Sequence, residues 1–228
     1  MDSVFGFEGA DFVLLCADRT SARSIVAFKH DEDKVRGCLR PCPPPFYFLP
    51  FPSNPLPFPS LQIRTLDKFK IAASAGPQAD CSSFVELIQR NISLTAFRTG
   101  LTMSTKSVAS YIKTTLAEAL RKNPYQVNLL VAGYDKDTAS SLFYCESYGA
   151  LAKMPFAAHG YAGYFLFSTM DAAWKPGMSK AEALDLARLC IAELAKRFTI
   201  HQPNFTVKLV GKDGVEEVSL GPNAPATP

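Results

Sequence analysis

What most limits the fold of this chain is the order in which its two hydrophobic periods alternate. Residues 4–7 and 12–17 are apolar strand runs, joined by Glu8-Gly9-Ala10-Asp11, a short turn with a glycine and an aspartate to close it. Residues 25–28 and 69–73 are further strand runs, the latter ended by Gly76-Pro77. Helical period then takes over in two stretches, one with Phe84, Leu87, Ile88 and Ile92, the other with Val108, Tyr111, Ile112, Thr115, Leu116 and Ala119. Asn123-Pro124 stops the second, and strands resume at 127–132 and 141–145. Two more helices follow, over about 161–172 and 179–198. The last has Ser179 as cap, Glu182 as its box partner, and an inner face of Ala183, Leu186, Leu189, Cys190, Leu194 and Ala195. Strands 205–210 and 215–220 flank a hairpin turn at Lys212-Asp213-Gly214. Strands, two helices, strands, two helices, strands can bury every apolar face if two sheets stack face to face under a helix pair on each outer side. The expected class is α+β, a four-layer αββα sandwich.

Length and charge narrow the function classes. The 228 residues suit one domain, spanning 1–220, with 221–228 as a loose tail. A net charge of +3 gives no reason to expect nucleic acid or an anionic membrane as partner. No apolar run reaches the roughly 18 residues of a membrane span, and none has the form of a secretory signal. Three of the six cysteines, Cys16, Cys145 and Cys190, sit inside apolar runs as small hydrophobes. Scattered thiols without a leader imply a reducing intracellular compartment, where the sequons at Asn91 and Asn204 are idle.

Residues 35–62 break the pattern. They hold Pro41, Pro43, Pro44, Pro45, Pro50, Pro52, Pro55, Pro57 and Pro59, interleaved with Phe46, Phe48, Phe51 and Phe58, and no acidic residue. Proline at this density neither donates to a sheet nor continues a helix. The segment could be a proline-rich ligand for an aromatic groove, through Pro41-Cys42-Pro43-Pro44. It could be a metal loop through Cys38, Cys42 and His30, though one cysteine pair is a weak signal. The favoured origin is a retained intron. Valine codons begin with GT and glutamine can be CAG, matching both splice borders. Phe, Pro, Ser and Leu come from pyrimidine-rich codons, as expected before an acceptor site.

Several long strings in order carry a family resemblance. They are Met1-Asp2-Ser3-Val4-Phe5-Gly6-Phe7, Phe12-Val13-Leu14-Leu15-Cys16-Ala17-Asp18-Arg19, Asp31-Glu32-Asp33-Lys34, Pro124 through Asp135, and Pro155-Phe156-Ala157-Ala158-His159-Gly160-Tyr161. The chain resembles the beta-type subunits of the proteasome core particle, nearest to the fourth beta position (beta type-2), over nearly its whole length except 35–62 and the tail. The resemblance implies the N-terminal-nucleophile hydrolase fold. It also supports the intron, because removing 35–62 joins Lys34 to Ile63 and restores the family's spacing between two strands.

The resemblance also says what is lost. Active members use an N-terminal threonine as nucleophile, with its own free amine as base, and an aspartate, a lysine, an oxyanion glycine and a later serine–aspartate–serine group in support. By position the threonine aligns with Asp2, the aspartate with Asp18, the lysine with Lys34 and the glycine with Gly76. The first support serine falls near His159, and the other two fall within 198–202, which holds neither residue type. Asp2 has no hydroxyl, and a retained Met1 would turn the amine into an amide that takes no proton. These four positions are therefore expected to be vestigial, with Asp18 and Lys34 surviving as a structural charge pair. No cofactor and no metal are expected.

Bland alternatives weigh against each remaining candidate. Ser3 is a cryptic nucleophile only after trimming, and it is one place out of register. His159 with Ser74 or Ser168 makes a weak triad beside a satisfied histidine at a glycine-rich helix start. His30 and His201 have no partner pattern, and Tyr161, Tyr164, Phe165 and Phe167 suggest helix packing. Two functions remain: a structural subunit in a seven-member beta ring, packed on ring neighbours, an alpha ring and the opposite beta ring; or an active threonine- or serine-type peptidase of the same fold after N-terminal trimming. With no propeptide ending in glycine before a threonine, the first is expected.

Overall fold

The computed structural model describes residues 2–19, 21–23, 26–29, 62–199, 202 and 204–220. Lys34, residues 35–61 with Cys38 and Cys42, His30, His201 and the tail 221–228 lie outside them.

Five antiparallel strands form the first sheet. They are β1 (Ser3–Glu8), β2 (Phe12–Asp18), and, from far along the chain, β10 (Phe156–Gly160), β11 (Phe205–Gly211) and β12 (Gly214–Val218), in the order β10-β1-β2-β11-β12. The second sheet is β5 (Ile63–Asp67), β6 (Lys70–Ala75), β7 (Asn128–Asp135), β8 (Ala139–Cys145) and β9 (Leu151–Lys153), in sequence order. A separate antiparallel pair joins β3 (Ser21–Arg23) to β4 (Val26–Lys29). The helices are α1 (Gln78–Thr99), α2 (Thr105–Ala119), α3 (Tyr161–Ala173) and α4 (Lys180–Arg197).

Period-two alternation makes the layers. On β1 and β2, Phe5, Phe7, Leu14 and Cys16 pack with Leu166 and Met170 of α3 and with Leu186, Cys190 and Leu194 of α4. Their neighbours Val4, Val13, Leu15 and Ala17 point the other way, onto Ile71, Ala73, Leu130 and Leu142 of the second sheet. The far face of that sheet, with Ala72, Val131 and Phe143, meets Phe84, Ile88, Val108, Ile112 and Leu116 of α1 and α2. Three apolar layers thus separate four layers of structure, as the strand and helix order required. Both central strands are buried on both faces, so truncating Leu14 or Leu15 to alanine would cost about 2–5 kcal/mol.

The helix ends follow local chemistry. Ser179 caps α4 and completes a capping box with Glu182, as expected. Three sequence expectations are corrected. Leu87 and Leu189 are 38% and 43% exposed and Ala195 is exposed; Val85 and Ala187 take the inner places, because a residue three on from a buried one can fall on the flank of the stripe. Tyr164 is 84% exposed, so the aromatic run of α3 packs inward only in part. His159 stands on a strand, not at a helix start, since β10 continues to Gly160. Gln62, the last residue of the proline-rich segment, packs onto the folded body: its carbonyl accepts from the Ser74 amide at 2.8 Å and its side chain is buried.

Candidate functional site

The residues singled out at positions 2, 18 and 76 meet at one end of the sandwich. Strand β1 begins beside the end of β10, where Ser3 faces Gly160. The Asp2 carbonyl accepts the Tyr161 amide at 3.1 Å, at the start of α3. Gly160 makes this approach possible. Its φ of +69° suits glycine, and a Cβ there would lie 2.0 Å from the Asp2 carbonyl oxygen.

On the other side stands the turn after β6. Its ladder with β7 ends at Ala75 paired with Asn128, so the next amide, on Gly76, lies past the last strand pair. Gly76 has φ +144°, and a Cβ would stand 2.2 Å from the Gln126 carbonyl. In this glycine-only conformation its N–H donates to Asp2 Oδ2 at 3.1 Å. Gln62 Nε2 donates to Asp2 Oδ1 at 3.2 Å. The Gly76 donor is therefore already taken, by the side chain of residue 2.

Asp18 is 1% exposed at the end of β2. Its Oδ1 accepts the Ser3 amide at 2.9 Å and its Oδ2 accepts Gln202 Nε2 at 3.2 Å. The first bond ties the start of β1 to the end of β2, and the second ties the end of β2 to the segment before β11. The expected pairing of Asp18 with Lys34 falls outside the described residues. Ser3 Oγ is buried, and among the described residues no base hydrogen-bonds to it.

His159 is 4% exposed and stacks on Tyr144 of β8, with ring centroids 4.1 Å apart. Its Nε2 lies 3.2 Å from the Leu129 carbonyl on β7. Burial lowers its pKa to about 4, against the raising effect of the Leu129 and Cys145 backbone groups and of Glu146. The ring is thus neutral near pH 7, and neither Ser74 nor Ser168 is its partner among the described residues. Burial lifts the thiols of Cys145 and Cys190 to about 12 and that of Cys16 well above its ordinary range, which removes thiolate chemistry there. Two buried lysines are structural. Lys70 lies 3.6 Å from Asp67 and 3.7 Å from Asp135, and Lys208 donates to the Ile63 carbonyl at 3.2 Å, tying the first sheet to the second. Among the described residues there is no His, Cys, Asp and Glu cluster that could hold a metal, and no helix is long and apolar enough to cross a membrane.

The sequence pointed to Asp2, Asp18 and Gly76 but missed Gln62 and Gln202. Both are amides that hand an N–H to a carboxylate, a role that leaves no spacing pattern in the sequence. Gln202 stands in the stretch 198–202, where the resemblance puts support residues, and that is its one signal; Gln62 ends the proline-rich segment, whose composition hides it.

Comparison with known proteins decides the family. The proteasome subunit family matches residues 61–210, well over half the chain. This chain belongs to the proteasome beta-subunit family. It is 39% identical to proteasome subunit beta type-2-B of Arabidopsis thaliana over 217 residues, covering 95% of both chains. It is 34% identical to proteasome subunit beta type-2 of Dictyostelium discoideum, over 99% of this chain and all of that one. Proteasome subunit beta type-4 of Saccharomyces cerevisiae is 33% identical over 96% of this chain and 97% of its own length. The family match begins at residue 61, two residues before β5 and at the end of the proline-rich segment.

Proposed function

We propose that this chain is a non-catalytic structural beta subunit of the 20S proteasome core particle, assembling with other proteasome subunits to build the chamber for ubiquitin-dependent protein degradation. One observation carries this: the Gly76 amide, which the family resemblance makes the oxyanion donor, is held by the Asp2 carboxylate. A carboxylate has no hydroxyl to activate and is a weak nucleophile toward an amide. With the donor occupied and no attacker, the site gives no turnover. Asp2, Asp18, Lys34 and Gly76 are then vestigial positions, and Asp2, Asp18 and Gly76 hold the end of the sandwich.

Partner surfaces fit the same role. Leu87, Leu94 and Phe97 form one outward stripe on α1, followed by Leu101, and Phe97 and Leu101 are 88% and 73% exposed. Apolar area of this kind favours coverage by neighbours. Our assignment is a seven-member beta ring contacting an alpha ring and the opposite beta ring, in the cytoplasm and nucleus.

We also assign residues 35–62 to a retained intron, so Gln62 takes its place beside Asp2 only in the chain that keeps this segment. In the spliced chain Lys34 stands directly before Ile63, in the place that Gln62 takes here, where its ammonium would face the Asp2 carboxylate. Sequencing the mature transcript tests this; codons for 35–62 present throughout would remove it. The assembly role is tested by purifying the tagged chain from its own cells. Recovery in fixed ratio with alpha and beta core subunits is expected, and recovery as a free monomer would reject it.

A further inference from the structure

We propose that the end of the sandwich around Gly76 is a carboxylate-binding site, and that Asp2 fills it from within the chain. The site is built from two donors on the second sheet. One is the Gly76 N–H, left over where the β6–β7 ladder ends and aimed by a backbone conformation that only glycine takes freely. The other is the Gln62 side-chain amide, the residue before β5. They bind separate oxygens of one carboxylate, at 3.1 Å and 3.2 Å.

Gln62 shows which chemistry the site prefers. Its amide could turn either end inward. An ionised carboxylate only accepts, so Gln62 presents Nε2, and its Oε1 is buried with no hydrogen-bond partner among the described residues. An orphaned buried acceptor is costly, and a charge-assisted bond on the same amide offsets it. The main chain around Asp2 is held independently, by the Tyr161 amide on its carbonyl and the Ser3 amide on Asp18. Removing the Asp2 side chain should therefore leave the cradle standing and empty. Because β1 belongs to the first sheet and both donors to the second, the carboxylate also ties the two sheets at this end.

The test uses the full chain carrying Asp2→Ala, with hydrogen exchange read at the Gly76 amide and the thermal midpoint read in parallel. Exchange at Gly76 should quicken on the order of tenfold to hundredfold, the range for losing a bond to a charged group. Added formate should slow it again and raise the midpoint. Chloride at the same ionic strength should do neither, and formate should leave the unsubstituted chain unchanged. Should Asp2→Ala not fold, Gln62→Leu in the otherwise natural chain removes one donor and should still quicken exchange at Gly76. Unchanged Gly76 protection in either variant, or formate acting no better than chloride, overturns the site. Such a failure would leave the assembly role intact, since that is read by co-purification.

Discussion

Acid should loosen this subunit through one histidine. His159 sits between the sheets, stacked on Tyr144, with its Nε2 against the Leu129 carbonyl. Burial holds its pKa at about 4, whereas an unfolded chain restores the ordinary 6.5. Below pH 6.5 the unfolded state takes up a proton that the folded state refuses, so stability present at neutral pH is lost as pH falls and the loss is complete below about 4. At about 1.4 kcal/mol per pH unit, the gap amounts to about 3 kcal/mol, of which about 2 kcal/mol is gone by pH 5. Glu8 works the other way. Burial raises its carboxyl, against the Leu142 amide and Lys153, so its cost grows as pH rises past the ordinary carboxylate range. Comparing the natural chain with His159→Phe cancels that contribution, because phenylalanine keeps the ring against Tyr144 and cannot titrate. The assay is denaturant unfolding of both at pH 7.5, 6 and 5. The natural chain should lose about 2 kcal/mol more than the variant across that range. Parallel profiles would refute the reasoning.

Gly160→Ala should prevent stable folding or cut particle incorporation sharply, because its Cβ would meet the Asp2 carbonyl at 2.0 Å and its φ of +69° disfavours any side chain; a cost of about 2–4 kcal/mol is expected by unfolding, and an unchanged midpoint would contradict the geometry. Deleting residues 35–62 should raise solubility and leave assembly at least as good, since four phenylalanines without a burying period are removed and a long connection is shortened; loss of incorporation would make the segment an interface element. Lys34→Ala should leave peptide hydrolysis by the assembled particle nearly intact at normal particle yield; loss of one specific cleavage activity would show that it supports chemistry.

Legibility in the sequence tracked how much one element could say about itself. Strands β1 and β2 and all four helices announce their period in uninterrupted runs, and Ser179 with Glu182 marks a helix start by local bonding alone. Strand β10 was hidden because Ala157-Ala158-His159-Gly160 has little β propensity; it is a strand through pairing with β1 and by burial between α3 and the second sheet. β9 has three residues and β5 mixes Arg64, Thr65 and Asp67 into its run, so tertiary pairing decides both. At the site, the resemblance aligned Asp2 with a nucleophile and Gly76 with a donor, but not that one would bond to the other. That contact spans 74 positions, and Gln62 reaches Asp2 across 60. Such pairs follow from how the two sheets meet, which periodicity does not encode.

The central claim, that Asp2 closes an inert site, is tested most directly by exposing purified particles containing this chain to a peptide epoxyketone and measuring the intact mass of every subunit. Catalytic beta subunits in the same sample should gain the probe's mass and serve as the internal control. This chain should keep its unmodified mass. A probe adduct on it, mapped to residue 2 or 3, would contradict the account.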